Sequence, residues 1–343
     1  MSVRRDYLRG VAGLLSAALI IGVLTLINPS SQSAADFPCR DSEGEEVTID
    51  ISSGETGSEI ASQLLDKGVT ASYGAFFALA VADSRANGIA PGIHRVEKQN
   101  CAEEVLTQLL DSKRISNLIA INEGEWMSEI VEKISQLGYS KVEIESAIQQ
   151  AAKPEGFDHS EGLLFPAQYS FESSTPINQI VQSIISRAVL EMRKAGFFEA
   201  HSKFSPQELL VIASLIQAEG DREDYSQISQ VIRNRLKLGM PLQFDSTVHY
   251  VKKSRGSVFL STQSTFIESP YNTYRRYGLP PGPINNPGAA AMRAAMKPTQ
   301  GDWLYFITVS PGDTRFTRSF DQFLEWKSLY KENLRNGKFG GTE

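Results

Sequence analysis

LLVIASLIQAEGDRED, Leu209 to Asp224, is a run of apolar and small residues that ends on Glu219. Just upstream, Ser205-Pro206-Gln207-Glu208 reads as a helix start, with Ser205 as N-cap, Pro206 at the first helical position and Glu208 closing a capping box. The helix is expected to run from Leu209 to Ala218, with Glu219 in its last turn and Gly220 as the C-cap. Apolar and small side chains surround nearly the whole circumference, the pattern of a buried helix. Burial raises a carboxyl pKa, and the partial negative charge of a helix C-terminus opposes a second one nearby. Both effects favour a protonated Glu219, the form a general acid needs. On this stretch alone a solvated glutamate at a helix end is an equal alternative.

Outward from this helix, the 343 residues are 41% hydrophobic and carry a formal net charge of -6, enough apolar material for two or three compact units. There is no large basic surface for a phosphate backbone, so no nucleic-acid partner is expected. Gly10 to Ile27, GVAGLLSAALIIGVLTLI, has no charged residue and follows Arg4, Arg5 and Arg9. Length and positive-inside asymmetry predict a transmembrane helix over residues 10–28, with a cytoplasmic tail of residues 1–9 and the rest of the chain outside. A cleaved signal peptide is the competing reading. Cys39 and Cys101 both fall on the exported side, where they form a candidate disulfide pinning the first exported domain.

The chain also repeats itself. VTIDISSGETGSEIASQLLDKGV from Val47 aligns with NLIAINEGEWMSEIVEKISQLGY from Asn117. Gly54, Glu55, Ser58, Glu59, Ile60 and Gly68 recur as Gly124, Glu125, Ser128, Glu129, Ile130 and Gly138, each 70 positions on. Each copy reads as strand, glycine turn, helix, a duplicated structural unit. It resembles the LysM-like module found near membrane anchors in bacterial wall enzymes; a packing spacer that binds nothing is the alternative. KPEGFDHSEGLLFPAQYSF, Lys153 to Phe171, follows as an ordered connection, and Thr175 to Lys194 has helical periodicity.

VIRNRLKLGMPLQFDSTVHYV (Val231 to Val251), YNTYRRYGLPPGPINNPGAAAMRAAMKP (Tyr271 to Pro298) and WLYFITV (Trp303 to Val309) complete an ordered series with ASLIQAEG. The series resembles the YceG-like family of endolytic murein transglycosylases, in which an ASIIEKE-like helix precedes an NRL-x-x-G-M-x-L-Q-x-D-x-T-V segment, YNTY and GLPPGPI. The resemblance extends over the whole chain and implies that Glu219 is the catalytic glutamate. Two departures stand out: the family's EKE reads Gln217, Ala218, Glu219 here, and Ser246 replaces the proline usual after the aspartate.

The implied architecture is α+β: residues 29–45 a linker, 46–115 a LysM-like module, 116–174 the second copy and connection, and 175–343 a mixed α+β catalytic domain. The implied activity is cleavage of nascent peptidoglycan glycan strands, leaving 1,6-anhydromuramyl ends and ending strand elongation. Such an enzyme would be a single-pass protein of the bacterial inner membrane with its catalytic part extracytoplasmic, and a peptidoglycan synthase is a conceivable partner. A noncatalytic wall-binding scaffold and a hydrolytic muramidase are the alternatives. Gln243, Asp245, Thr247, Asn272 and Tyr274 are candidate glycan contacts, each with a turn-stabilising role as its alternative. Asp245 and the cluster Asp221, Glu223 and Asp224 are the nearest candidates for a second carboxylate; the cluster also reads as a solvated loop. The four histidines, His94, His159, His201 and His249, are scattered, and Ser214 lacks a nucleophile elbow. No metal or cofactor is expected.

Overall fold

The computed structural model describes residues 34–40, 44–52, 54–171, 174–199, 203–255 and 260–339. The expected membrane span lies outside these residues. Among the described residues no helix is long and apolar enough to cross a membrane. By internal packing the chain divides into two units, Met1–Ser116 and Asn117–Glu343.

In the first unit, strand β1 (Glu46–Ile51) is followed by helices α1 (Gly57–Asp66) and α2 (Tyr73–Ala82), strand β2 (Gly92–Glu97) and helix α3 (Ala102–Leu110). β1 and β2 pair antiparallel, with Val47 opposite Val96 and Ile49 opposite His94. Alternation along β1 sends Ile49 and Ile51 inward, where they meet Ile60 and Leu64 from one face of α1, Phe76 of α2 and Val105, Leu106 and Leu109 of α3. α1 begins at a capping box in which the Thr56 N–H donates to Glu59 Oε2 (2.7 Å) and the Glu59 N–H donates to Thr56 Oγ1 (3.3 Å). Gly68 follows its end in the left-handed region, φ +69°. Cys39 and Cys101 are joined by a disulfide that fastens the segment before β1 to the start of α3.

The second unit opens with the second copy. β3 (Leu118–Ala120), α4 (Met127–Ser135), α5 (Lys141–Gln150) and β4 (Gln168–Ser170) reproduce the order strand, helix, helix, strand, again with antiparallel outer strands. The recurring residues recur for local reasons. Gly54 and Gly124 both turn the chain at positive φ, and so do Gly68 and Gly138 after their helices. Glu129, like Glu59, accepts the backbone N–H three residues before it, that of Trp126 at 2.7 Å.

Then come α6 (Ile177–Ala195), α7 (Pro206–Glu219), α8 (Tyr225–Lys237), α9 (Asp245–Lys252), α10 (Ala289–Met296), the hairpin β5 (Tyr305–Ser310) and β6 (Asp313–Thr317), and α11 (Phe320–Arg335). α7 forms as its sequence dictates. Ser205 caps it, Pro206 opens it, and Leu209 through Ile216 are all buried. α10 packs on α6, α7 and α8, and α9 packs on α7. A single core runs from Ile119 to Ala295, so residues 117–174 pack with the helices after them rather than as a body of their own. Two strands of three residues cannot bury the apolar faces of α4 and α5, and α5 finds its partner in α6.

The disulfide closes a loop of sequence separation 62, which in chain-entropy terms is worth about 4 kcal/mol. Reduction should therefore lower hydrogen-exchange protection of β1 and α3 by as much as about a thousandfold. Equal protection in the oxidised and reduced protein would show that the bond carries no stability.

Candidate active site

Glu219 ends α7 against Gly220, whose backbone is extended (φ −169°) rather than left-handed. Space is tight there: a Cβ would lie 2.4 Å from Ile228 Cδ1 of α8, so a larger residue would have to displace the end of that buried side chain. The residue keeps some solvent exposure, but its carboxyl is crowded by protein. That burial, with a smaller push from the charge of Asp245, raises its pKa to about 7, against the opposing pull of Ser246 and Arg235. The Ser246 hydroxyl donates to Glu219 Oε1. Arg235 is buried in α8, where Nε donates to the Leu304 carbonyl (2.6 Å) and Nη1 to that of Leu242 (2.5 Å). It thereby ties the segment leading into α9 to the start of the β5 hairpin.

The other sequence candidates fall into two groups. Asp245 is exposed at the start of α9 and accepts from the Tyr274 hydroxyl, whose pKa is raised by burial and by this carboxylate. Gln243 is exposed, with φ +52°, and its N–H donates to the Thr273 carbonyl (3.1 Å). Thr247 and Asn272 are fully buried. The Thr247 hydroxyl bonds the Phe244 carbonyl (2.6 Å) and Thr273 Oγ1 (3.0 Å). Asn272 Nδ2 donates to the carbonyls of Thr265 (3.0 Å) and Ile267 (2.8 Å), while its Oδ1 accepts from the Tyr274 N–H (3.0 Å). These two side chains hold turns, whereas Asp245 and Tyr274 lie close enough to Glu219 to interact with it electrostatically and Gln243 is left exposed.

A second buried carboxylate ties the connection before β4 to the start of α4, to α9 and to the proline-rich loop. Glu161, in the connection before β4, is 6% exposed. Its Oε1 accepts from the Met127 N–H (2.9 Å) and Asn286 Nδ2 (3.0 Å), and its Oε2 from the Tyr250 hydroxyl of α9 (3.2 Å). Asn286 also accepts from the Leu164 N–H (2.8 Å) and exchanges backbone bonds with Gly124 and Glu125. Burial raises Glu161 to about 7 as well. Gln217 spans the same region, donating to the Tyr225 hydroxyl (2.7 Å) and accepting from the Gly288 N–H (3.0 Å). Its neutral amide supplies a donor and an acceptor, so the family's usual charge at this position is not needed for packing.

Residues 49–328 match the YceG-like family. The chain belongs to the YceG-like family. It is similar to the endolytic murein transglycosylase of Bacillus subtilis (strain 168), with 32% identity over 83% of this chain and 84% of that one. The endolytic murein transglycosylase of Streptococcus pneumoniae serotype 2 is 27% identical over 76% of this chain, which spans only 54% of that longer protein. The crystal structure of a yceG-like protein from Listeria monocytogenes superposes with a TM-score of 0.56, covering 82% of this chain and 98% of that one; at 24% identity it bears on the fold alone.

Within this family frame, Ser246 is the residue whose role the sequence hid. It stands out only as a departure from proline, yet a proline there could not donate to Glu219. Glu161 and Asn286 lie inside quoted motifs but give no local sign of being buried.

Ser246→Ala should remove a bond that favours ionised Glu219, moving the basic limb of the activity profile up by about one pH unit. Ser246→Thr, which keeps the hydroxyl, should leave the limb in place; identical limbs for all three proteins would show that Ser246 does not tune Glu219.

For Glu161, the raised pKa means that stability is fully present below the unfolded pKa and is lost as pH rises through about 7. Glu161→Gln should therefore gain stability over the parent between about pH 5 and 8, by up to about 3 kcal/mol. Urea denaturation across that range measures the gain, and a pH-independent difference would contradict it.

Proposed function

We propose that this protein is a lytic transglycosylase that cuts peptidoglycan glycan strands through Glu219. The observation that carries the reading is a carboxyl poised near pH 7 at the end of a buried helix, in the position of the family's catalytic glutamate. Protonated Glu219 donates to the glycosidic oxygen as the C–O bond breaks, and the sugar's own 2-acetamido group assists at the anomeric carbon. The resulting carboxylate then takes the proton of the same sugar's 6-hydroxyl as that oxygen closes on the anomeric carbon. The product is a 1,6-anhydromuramyl end, and Glu219 finishes protonated. One titrating group thus serves both steps, where an ordinary glycosidase uses two. Asp245, held by Tyr274, contributes negative charge that keeps Glu219 protonated and helps to stabilise the developing cation.

The charge-free run Gly10 to Ile27 behind Arg4, Arg5 and Arg9 supports a membrane tether, which would confine cutting to nascent strands at the outer face of the membrane. In the first unit, a cavity of about 350 Å³ bounded by Ser52, Thr56 and Asn87 supports the reading of that module as a glycan holder.

Mass spectrometry of products released from purified glycan strands tests the assignment. The parent should yield ends lighter than a reducing sugar by one water, and Glu219→Gln should yield none while folding normally. Reducing ends would make the protein a hydrolase, and undiminished turnover by the variant would remove Glu219 from the mechanism.

A further inference from the structure

Beside Glu219 lies a pocket of about 360 Å³ whose walls include Trp126, Ser246, His249, Ser254, Arg255 and Asn285. Glu219 is not in its lining; it meets the pocket through Ser246, whose hydroxyl it accepts. Three buried polar atoms of the lining, His249 Nδ1, Ser254 Oγ and Asn285 Oδ1, have no hydrogen-bond partner among the described residues. Buried polar atoms left in this way are costly, and three around one cavity call for a partner that the described residues do not supply.

Their geometry is fixed by the fold. Asn285 is 3% exposed, and its Nδ2 donates to the Ser214 carbonyl of α7 (2.8 Å), which sets the plane of the amide and leaves Oδ1 as an acceptor only. After α9 the chain passes through Lys253 at φ +49°, and the Ser254 N–H returns to the His249 carbonyl (3.1 Å), bringing those two side chains to one wall. The charged residues of the lining are paired: Arg255 with Glu129 (2.6 Å) and over the Trp126 ring (4.2 Å), Glu123 with Arg222 (3.4 Å). A charged ligand would have to break one of these pairs, whereas a neutral polar one would not.

We propose that this pocket binds a neutral secondary amide carried by the glycan strand next to the bond being cut. Asn285 Oδ1 accepts the amide N–H, Ser254 and His249 donate to its carbonyl, and Trp126 covers its apolar side. The inference rests on the glycan-cleaving reading above. The amide can come from a sugar's acetamido group or from the first peptide bond of a stem peptide, and the two sources differ in which oligosaccharide reports it.

Binding to the full-length Glu219→Gln protein, which removes the proton donor, tests this by calorimetry with three tetrasaccharides: N-acetylglucosamine, glucose with a hydroxyl in place of each acetamido group, and a strand fragment bearing stem peptides. The glucose tetramer should bind more weakly than an amide-bearing one by about tenfold, the equivalent of one hydrogen bond. Adding Ser254→Ala or His249→Leu should shrink that ratio to within about threefold, with melting temperature unchanged. A ratio that collapses for the N-acetylglucosamine tetramer assigns the pocket to the acetamido group; collapse only for the stem-bearing fragment assigns it to the peptide. Ratios that survive both substitutions, or no binding of any oligomer, would overturn the proposal. Discrimination that depends on Ser254 and His249 in a protein whose parent form cuts nothing would instead overturn the enzymatic reading and leave the pocket standing.

Discussion

The burial of α7 is the constraint on which the rest of the second unit depends. Leu209 to Ile216 are covered on every side, so the helix cannot rotate or slide without exposing apolar surface at about 25 cal/mol per Å². Its polar atoms are then spent on holding other parts in place. The Ser214 hydroxyl accepts from the Ile284 N–H, the Ser214 carbonyl takes Asn285, and Gln217 joins Tyr225 to Gly288. The proline-rich loop is thus registered against the helix that delivers Glu219. Precision at the carboxyl is a consequence of packing over the ten residues before it.

Glu161 and Glu219 show why a raised pKa alone does not identify a catalytic acid. Both are pushed to about 7, chiefly by burial. Glu161 has three donors from three separate parts of the chain and 6% exposure, so a substrate oxygen cannot reach it. Glu219 has one hydroxyl partner, retains exposure and stands beside a cavity. Access decides between them, and proton affinity only qualifies the candidate.

The sequence makes legible whatever is set within a few residues. The capping box at Ser205, the buried face of α7, the glycine turns and the recurring glutamates of the two copies all follow from local spacing, and the fold bears them out. What it hides is set by contacts distant along the chain: Ser246 is 27 residues from Glu219, and Asn286 is 125 from Glu161. Thr247 and Asn272 are polar types suited to a sugar, but their burial depends on residues 244–247 meeting residues 272–273. That residues 117–174 share a core with the helices after them was hidden for the same reason, since only packing shows that α5 lies against α6.

The two copies of the repeat show how one local design serves two ends. Thr56 of the first copy corresponds to Trp126 of the second, each just ahead of its helix. Thr56 accepts the Glu59 N–H on its side chain, a cap worth about 1 kcal/mol. The tryptophan cannot accept that bond, so the second copy gives up the side-chain cap and keeps only the reciprocal glutamate contact. In exchange its ring lies under Arg255 and edge-on to Tyr250 of α9, contacts of about 0.5–2 kcal/mol each that the threonine could not make. Together the two contacts, about 1–4 kcal/mol, match or exceed the lost cap, so the exchange costs no stability. What the exchange also changes is connectivity: the start of α4 becomes a wall of the pocket beside Ser246, so the second copy of the unit is built into the surroundings of Glu219.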